Sequence, residues 1–322
     1  MAPSNKAAWI TEKSAHPFQV KDAELPKAGQ NEVVIKNHAV AVNPVDWMML
    51  QKYPNVLGED VAGEVYEVGD GVTHVKKGDR VMSHCFGLSS GDPQDAGFQL
   101  YTRCNALVVS KIPSSMAYTT AAVLPLSIST AAECLFKKEA LALPLPTSAT
   151  NPKDTGKSVL VWGGSSSIGA SAIQLAVGAG LKVVSVASAH NLQNLKNLGA
   201  AAALDYKSSS VVDDVVDALS GTEFAGVCDC IGTPDAIAAW APVYKKLGGR
   251  YGSVMPQAQG IPEGMEGTSV FATLVATADR FVGEAVWGKW VPEALEKGTL
   301  KAKPDPMVIE GGWRRYRRVL IS

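Results

Sequence analysis

The sequence predicts an α/β protein with two parts, a β-rich unit followed by a doubly wound parallel sheet. Three observations predict it. Short Val- and Gly-rich runs bounded by turn residues fill roughly residues 1–135, near-continuous apolar runs alternate with helical patterns from Lys157 onward, and a glycine-rich turn joins the first such run to the first such helix.

In the first part, Glu32–His38 (EVVIKNH), Val61–Val68 (VAGEVYEV, before Gly69-Asp70-Gly71) and Arg80–Ser83 (after Lys77-Gly78-Asp79) read as strands closed by tight turns. Ala117–Lys138 changes character: it is Ala- and Leu-rich and reads as helix. Leu141–Pro152 holds three prolines without a period and reads as a surface loop. The alternation then begins, with strands at 158–164, 181–188, 201–206, 226–231 and 249–254. Helices are expected at 167–178, 191–198, 211–219 and 234–247 between them. Apolar strands covered on both faces by helices indicate a parallel sheet. No repeat of fixed period is evident.

Bulk properties narrow the function classes. The chain has 322 residues, 46% hydrophobic and 19% charged, which excludes the disordered class; a formal charge of −1 gives no global pull toward nucleic acid or anionic membranes. Five cysteines do not make a disulfide framework, the N-terminus lacks a secretion-signal pattern, and no apolar run of about 18 residues suggests a membrane span. A reducing, cytoplasmic setting is the expectation.

The strongest chemical signal is VLVWGGSSSIGASAIQLA (159–176). A strand ends at Trp162, glycines stand at 163, 164 and 169, and a helix begins near Ser167. Such glycines let backbone approach a pyrophosphate, and the helix start offers free N–H groups and the positive end of its dipole. The spacing is GG-x-x-x-x-G and not G-x-G-x-x-G, so the strand–turn–helix context carries the Rossmann reading. At the end of the second strand, where NAD-selective sites place Asp or Glu, the chain reads Ser188-Ala189-His190-Asn191. Hydroxyl, imidazole and amide groups can donate to a 2′-phosphate that a carboxylate would repel, which selects NADPH. Ser188, His190 and Asn191 are therefore phosphate candidates; Ser188 and Asn191 serve equally well as ordinary helix caps, and His190 as a merely exposed residue. Tyr206 either packs on the adenine ribose or closes the sheet edge.

These residues, with Asn43-Pro44-Val45-Asp46, Leu57–Val65 (LGEDVAGEV), Gly78-Asp79-Arg80-Val81, and Leu124-Pro125-Leu126 with Thr130-Ala131, resemble the zinc-independent medium-chain dehydrogenase/reductases over about residues 6–312. GGSSSIG, then SxHN, then DY, looks most like trans-acting enoyl reductases of polyketide biosynthesis. The resemblance implies a GroES-like β-rich catalytic domain at 1–125, a Rossmann NADPH-binding domain at 126–270, and a return to the catalytic domain at 271–322, with cofactor in the cleft between. Carried over by motif, Asn43, Pro44, Val45 and Asp46 approach the nicotinamide end. Gly163, Gly164, Ser165, Ser166, Ser167 and Ile168 hold the pyrophosphate; Ser188, Ala189, His190, Asn191 and Tyr206 hold the 2′-phosphate side. Val254 and Met255 meet the nicotinamide ribose. Thr130 lies near the reacting carbons, and Tyr53, Thr130 or water supplies the proton. Phe271 and Leu274 are candidates for the substrate lining or for core. Each position has a plainer alternative: Asn43-Pro44 as a turn, Thr130 as a helix start, Val254 as core.

The zinc-bearing branch has Cys near Asn43-Pro44 and Gly-His-Glu where this chain reads Gly58-Glu59-Asp60; no C-x-x-C pair exists, and Cys228 and Cys230 stand two apart in an expected strand. No metal is therefore expected. The implied activity is hydride transfer from NADPH to an activated C=C of a small-molecule or carrier-bound enoyl substrate. Quinone or small-enone reduction is the alternative, an NADPH-binding protein with little catalysis is a second, and a zinc alcohol dehydrogenase a third. The protein is expected to be a monomer or homodimer, with neither nucleic acid nor membrane as partner. After Glu310-Gly311-Gly312 the sequence WRRYRRVLIS replaces the helix and final strand usual in the family, so a shortened tail that lowers stability or activity is expected.

Overall fold

The computed structural model describes residues 3–13, 18–48, 54–147, 149 and 151–309. They divide into two compact units, the described residues of 3–126 with 305–309, and those of 127–304.

The first unit is β-rich, as its punctuated Val runs require. Its five-stranded antiparallel sheet places Tyr101–Asn105, Glu32–Ala41, Asp60–Val68, Arg80–His84 and Val109–Lys111 side by side, and a three-stranded sheet joins Gln19–Ala23, Asn5–Ile10 and Asn55–Val56. Alternation puts Val33, Ile35, Val61, Val65, Val81 and Val109 on one buried face. Fully burying each such side chain contributes about 1.5–3 kcal/mol. Pairing of Glu32–Ala41 with Asp60–Val68 is interrupted by irregularities at Val34/Ile35 and Asn37/Ala39, after which Ala41 lies opposite Asp60. That register ends the strand two residues before Asn43 and beside Asp60. Gly63 permits it, since a Cβ there would lie 2.0 Å from the Lys36 carbonyl oxygen.

The second unit is the doubly wound sheet. Six parallel strands run in the order Ala202–Asp205, Lys182–Ala187, Lys157–Trp162, Glu223–Asp229, Arg250–Ser253, Gly267–Ser269. The order reverses direction between Lys157–Trp162 and Glu223–Asp229, the switch point at which such sheets bind ligands. The helices Ser167–Gly178, Val211–Leu219 and Pro234–Leu247 have the predicted bounds; the predicted helix at 191–198 is a 3-10 turn, Ala189–Asn191, followed by Leu192–Asn197. Leu160, Trp162, Val186, Val215, Ile237 and Trp240 share one core.

The chain departs from expectation beyond residue 260. Gly267–Ser269 is a sixth strand that the sequence reading missed. Residues 271–304 pack with the second unit, and the chain rejoins the first only at Asp305. The cause is a set of long-range anchors. Trp287 Nε1 donates to Ser129 Oγ at 3.0 Å, and Gln174 takes Lys301 at both backbone groups. A Cβ on Gly178 would lie 2.6 Å from Trp290 Nε1, so the bare glycine admits that indole. The Arg cluster and tail lie outside the described residues. Among the described residues one helical stretch, Tyr118–Phe136, is long and apolar enough to cross a membrane, and most of it is buried inside the protein.

Candidate functional site: a glycine turn and a buried acid cluster

The turn after Lys157–Trp162 is built for close backbone approach. Gly163 has φ +86°, and Gly163 and Gly164 both donate to the Val186 carbonyl at 3.0 Å. Ser166 caps the following helix: its Oγ accepts from Gly169 N at 3.0 Å and donates to Gly163 O at 2.9 Å. Among the described residues no hydrogen-bond partner is found for the amides of Ser165, Ser167 and Ile168. Three unpaired donors at the N-terminus of a 12-residue helix form an anion cradle.

At the next strand end, Ser188 and Asn191 precede the 3-10 turn and the short helix, yet neither side chain makes a cap hydrogen bond. The capping alternative is therefore not what this geometry shows. Asn191 Nδ2 stands 3.2 Å from His190 Nε2, and Ala189 and His190 are exposed. Tyr206 is exposed, with Lys207 Nζ 5.7 Å from its ring centroid. Lys207 was not singled out from sequence; only its place after Asp205-Tyr206 signals it. Asp205 lies opposite Ala187 in register, and its Oδ1 accepts from the Lys207 amide at 3.0 Å.

On the other side of the switch point, Val254 and Met255 are half-buried. Their neighbour Asp229 escaped the sequence reading. Fully buried, it accepts from the amides of Ile231 at 3.1 Å and Gly232 at 3.0 Å, and Ser253 Oγ lies 3.3 Å from its Oδ2. This carboxylate shapes the 230–232 turn, whose Ile231 packs where a Cβ of Gly163 would stand.

Thr130 lies within Pro125–Phe136 and is buried, so it is no helix start. Phe271 is 57% exposed, which removes it from the core, and Leu274 is half-buried. Tyr53 lies outside the described residues. Helix Pro125–Phe136 also carries Glu133, fully buried and held by burial, then by Asp279, as a neutral acid with its pKa pushed up to about 9. Lys137, one turn on, bridges Asp279. Because the folded protein keeps a proton that the unfolded chain releases, stability falls as pH rises from about 4.5 to about 9. Glu133→Gln is expected to flatten that slope and to raise stability at pH 8 by about 1–2 kcal/mol. Urea unfolding at pH 5 and pH 8 checks it; an equal slope in both proteins refutes it.

In the first unit, the Asn43–Asp46 segment rests on two buried carboxylates. Asp46 accepts from Asn43 N at 2.8 Å and Gly58 N at 3.0 Å; Asp60 accepts from Asn43 Nδ2 at 2.7 Å and Leu126 N at 2.6 Å. Pro44 is exposed and Val45 half-buried. Beside them Glu59 Oε2 and His84 Nε2 stand 3.5 Å apart, and Glu59 Oε1 has no hydrogen-bond partner among the described residues. Burial pushes Glu59 up to about 8, Asp60 up to about 6 and His84 down to about 4, and raises Asp46. Near neutral pH, Glu59 and His84 are both uncharged.

Among the described residues no three His, Cys, Asp or Glu side chains are grouped to hold a metal, and Asp46 and Asp60 already spend their oxygens on N–H groups.

Comparison with known proteins agrees with this architecture. Residues 29–125 match the alcohol dehydrogenase GroES-like domain, and residues 167–255 match the zinc-binding dehydrogenase family. The trans-enoyl reductase himH of Aspergillus japonicus is 41% identical over 320 residues, covering 97% of this chain and 92% of that protein. The dehydrogenase orsE of Emericella nidulans is 37% identical over 329 residues, covering 96% and 92%. Among solved structures, an alcohol dehydrogenase superfamily protein from Novosphingobium aromaticivorans superposes with TM-score 0.72 at 22% identity, covering 94% of this chain and 90% of that one. The CurK enoyl reductase gives 0.68 at 19% identity, covering 94% and 91%. These structural likenesses show the fold.

Proposed function

The chain belongs to the medium-chain dehydrogenase/reductase family of nicotinamide-dependent oxidoreductases, and from that premise we propose that it reduces an activated C=C with NADPH, as a zinc-independent enoyl reductase. The observation that carries the cofactor half is the Ser188–Asn191 segment: it follows the second strand without a carboxylate, and its Ser and Asn side chains leave their caps unmade. The relatives named trans-enoyl reductase support the substrate half; a carrier-bound enoyl substrate is the form we propose.

The amides of Ser165, Ser167 and Ile168 hold the pyrophosphate, and Gly169 keeps the backbone close. Ser188, His190 and Asn191 donate to the 2′-phosphate, with Lys207 adding charge and Tyr206 a flat surface. Val254 and Met255 bound the nicotinamide ribose. When bound, the cofactor supplies a hydride for the alkene β-carbon. The protein's share is to position the alkene, exclude water and offer hydrogen bonds to the substrate carbonyl as negative charge builds there. Thr130 is the donor assigned to that end and Asn43, its Nδ2 taken by Asp60, an acceptor facing the nicotinamide, with Tyr53, Thr130 or water delivering the proton.

Isothermal titration calorimetry with NADPH and NADH, beside NADPH oxidation by an enoyl thioester and by a quinone, tests the reading. Turnover of the thioester with NADPH-selective binding is expected. Quinone turnover alone moves the acceptor, and binding without turnover by either removes catalysis. Lys207→Ala is expected to weaken NADPH about five- to tenfold with little change for NADH, since it removes one charge-assisted contact; equal losses for both nucleotides refute its place at the 2′-phosphate.

A further inference from the structure

We propose that Asp60 is a positioning residue for this reaction: it fixes which end of the Asn43 carboxamide is presented, acting through Asn43 without touching substrate. The inference rests on the reading of Asn43 as a substrate- or nicotinamide-facing group.

The geometry leaves Asp60 little other work. It is 1% exposed, and each oxygen is committed, Oδ2 to Asn43 Nδ2 at 2.7 Å and Oδ1 to Leu126 N at 2.6 Å. An ionised carboxylate only accepts, so it can face only the NH₂ end of an amide. Asn43 is thereby held with its NH₂ inward and its Oδ1 turned from Asp60. Its backbone is held independently, because Asn43 N donates to Asp46 Oδ2 and Asp46 N donates back to Asn43 O at 3.0 Å. Main chain and side chain are thus set by two different buried acids. The second contact adds a coupling: Leu126 is the last residue of the first unit before the chain enters the second, so one carboxylate ties Asn43 to the chain exit.

The arrangement depends on charge. A protonated Asp60 would donate through its O–H and favour the opposite face of the amide, inverting what Asn43 offers. Burial has already moved Asp60 to about 6, against the help of the hydrogen bonds it accepts from Leu126 and Asn43. Strand Arg80–His84 faces it with His84 directly opposite in register, strand Glu32–Ala41 faces it with Ala41, and the 43–48 segment contributes Asp46. Glu59 and His84 are uncharged near pH 6, and Asp46, which burial also raises, bonds the Asn43 main chain, so the Asn43 carboxamide itself reports on Asp60.

Two measurements test this. In ¹⁵N-labelled protein, the Asn43 side-chain amide resonance should move with a midpoint near pH 6 and lose that movement in Asp60→Asn, whatever the substrate. In steady state, Asp60→Asn should lower kcat about tenfold or more while NADPH affinity stays within about twofold, and the acid limb of the wild-type kcat profile should disappear. The exchanged pair Asn43→Asp with Asp60→Asn restores one N–H···O contact and should recover kcat over Asp60→Asn alone. An immobile Asn43 resonance in wild type overturns the proposal, as does a variant with unchanged kcat and acid limb, or parallel loss of melting temperature and NADPH binding. A moving resonance in a protein that reduces neither enone nor quinone overturns only the functional reading on which the proposal stands.

Discussion

Gly169→Ala should eliminate dinucleotide binding, with affinity falling by at least about 100-fold and stability by roughly 2–4 kcal/mol. The Cβ it adds would lie 2.3 Å from Gly163 O and 2.6 Å from Gly164 Cα. Both are backbone atoms of the turn itself, so no side-chain rotation relieves the clash, and the strand and helix must separate. Separation breaks the Gly169 N–Ser166 Oγ–Gly163 O chain and carries the Ser165, Ser167 and Ile168 amides out of convergence. Gly288→Ala is the control: nothing lies within 4 Å of its added Cβ, and its stability should change by less than about 1 kcal/mol. Calorimetric titration with NADPH and thermal melts on the two variants decide it. A Gly169→Ala protein that binds as tightly as wild type removes the turn from the cofactor site.

What could be read from sequence follows from how local each signal is. The helices Ser167–Gly178, Val211–Leu219 and Pro234–Leu247 were legible because Gly, Ser and Pro mark their ends and buried apolar strands flank them. The three-residue strand Gly267–Ser269 carries GTS, with neither alternation nor a β-branched run to announce it. The destination of residues 271–304 was hidden for another reason. It is decided by Trp287 reaching Ser129 and Lys301 reaching Gln174, contacts 158 and 127 residues apart. Family motifs implied a return at 271, and those indoles and that amide keep the chain in the second unit as far as Pro304.

The site divides the same way. The glycine turn is contiguous, and its chemistry could be written from one line of sequence. Asp46 was nominated as a cofactor contact because it closes the NPVD motif. Its burial and its bonds to Asn43 N and Gly58 N make it a support for that motif, which we propose as its role. Asp60, Glu59 and His84 form one cluster only because strands Asp60–Val68 and Arg80–His84 pair in register. Glu133, Lys137 and Asp279 meet because a distant loop folds back on one helix. Charge that tertiary pairing brings together has no signature in spacing.

The sharpest test of cofactor choice is Ser188→Asp, expected to turn an NADPH-selective protein toward NADH. Ser188 ends the second strand's run, is half-buried, and makes no cap bond that the substitution would lose; Asp is itself a good residue at that position. Folding should therefore be preserved, and the change should act on ligand alone. A new carboxylate about 5 Å from a 2′-phosphate costs about 3 kcal/mol at an effective dielectric near 20, which salt reduces to about 1.5–3 kcal/mol. NADPH affinity then falls about 10- to 100-fold. The same oxygens accept from the ribose 2′-OH of NADH, a gain of about 1 kcal/mol, or roughly fivefold. The ratio of affinities should thus move by about 50- to 500-fold, about as much as one charge can supply at this distance. Titration of wild type and variant with both nucleotides at 50 and 200 mM salt reads it, since the NADPH penalty should shrink at the higher ionic strength while the NADH gain stays. A variant that still prefers NADPH, or a wild type indifferent between the two, would place the phosphate elsewhere and detach Ser188, His190 and Asn191 from the site.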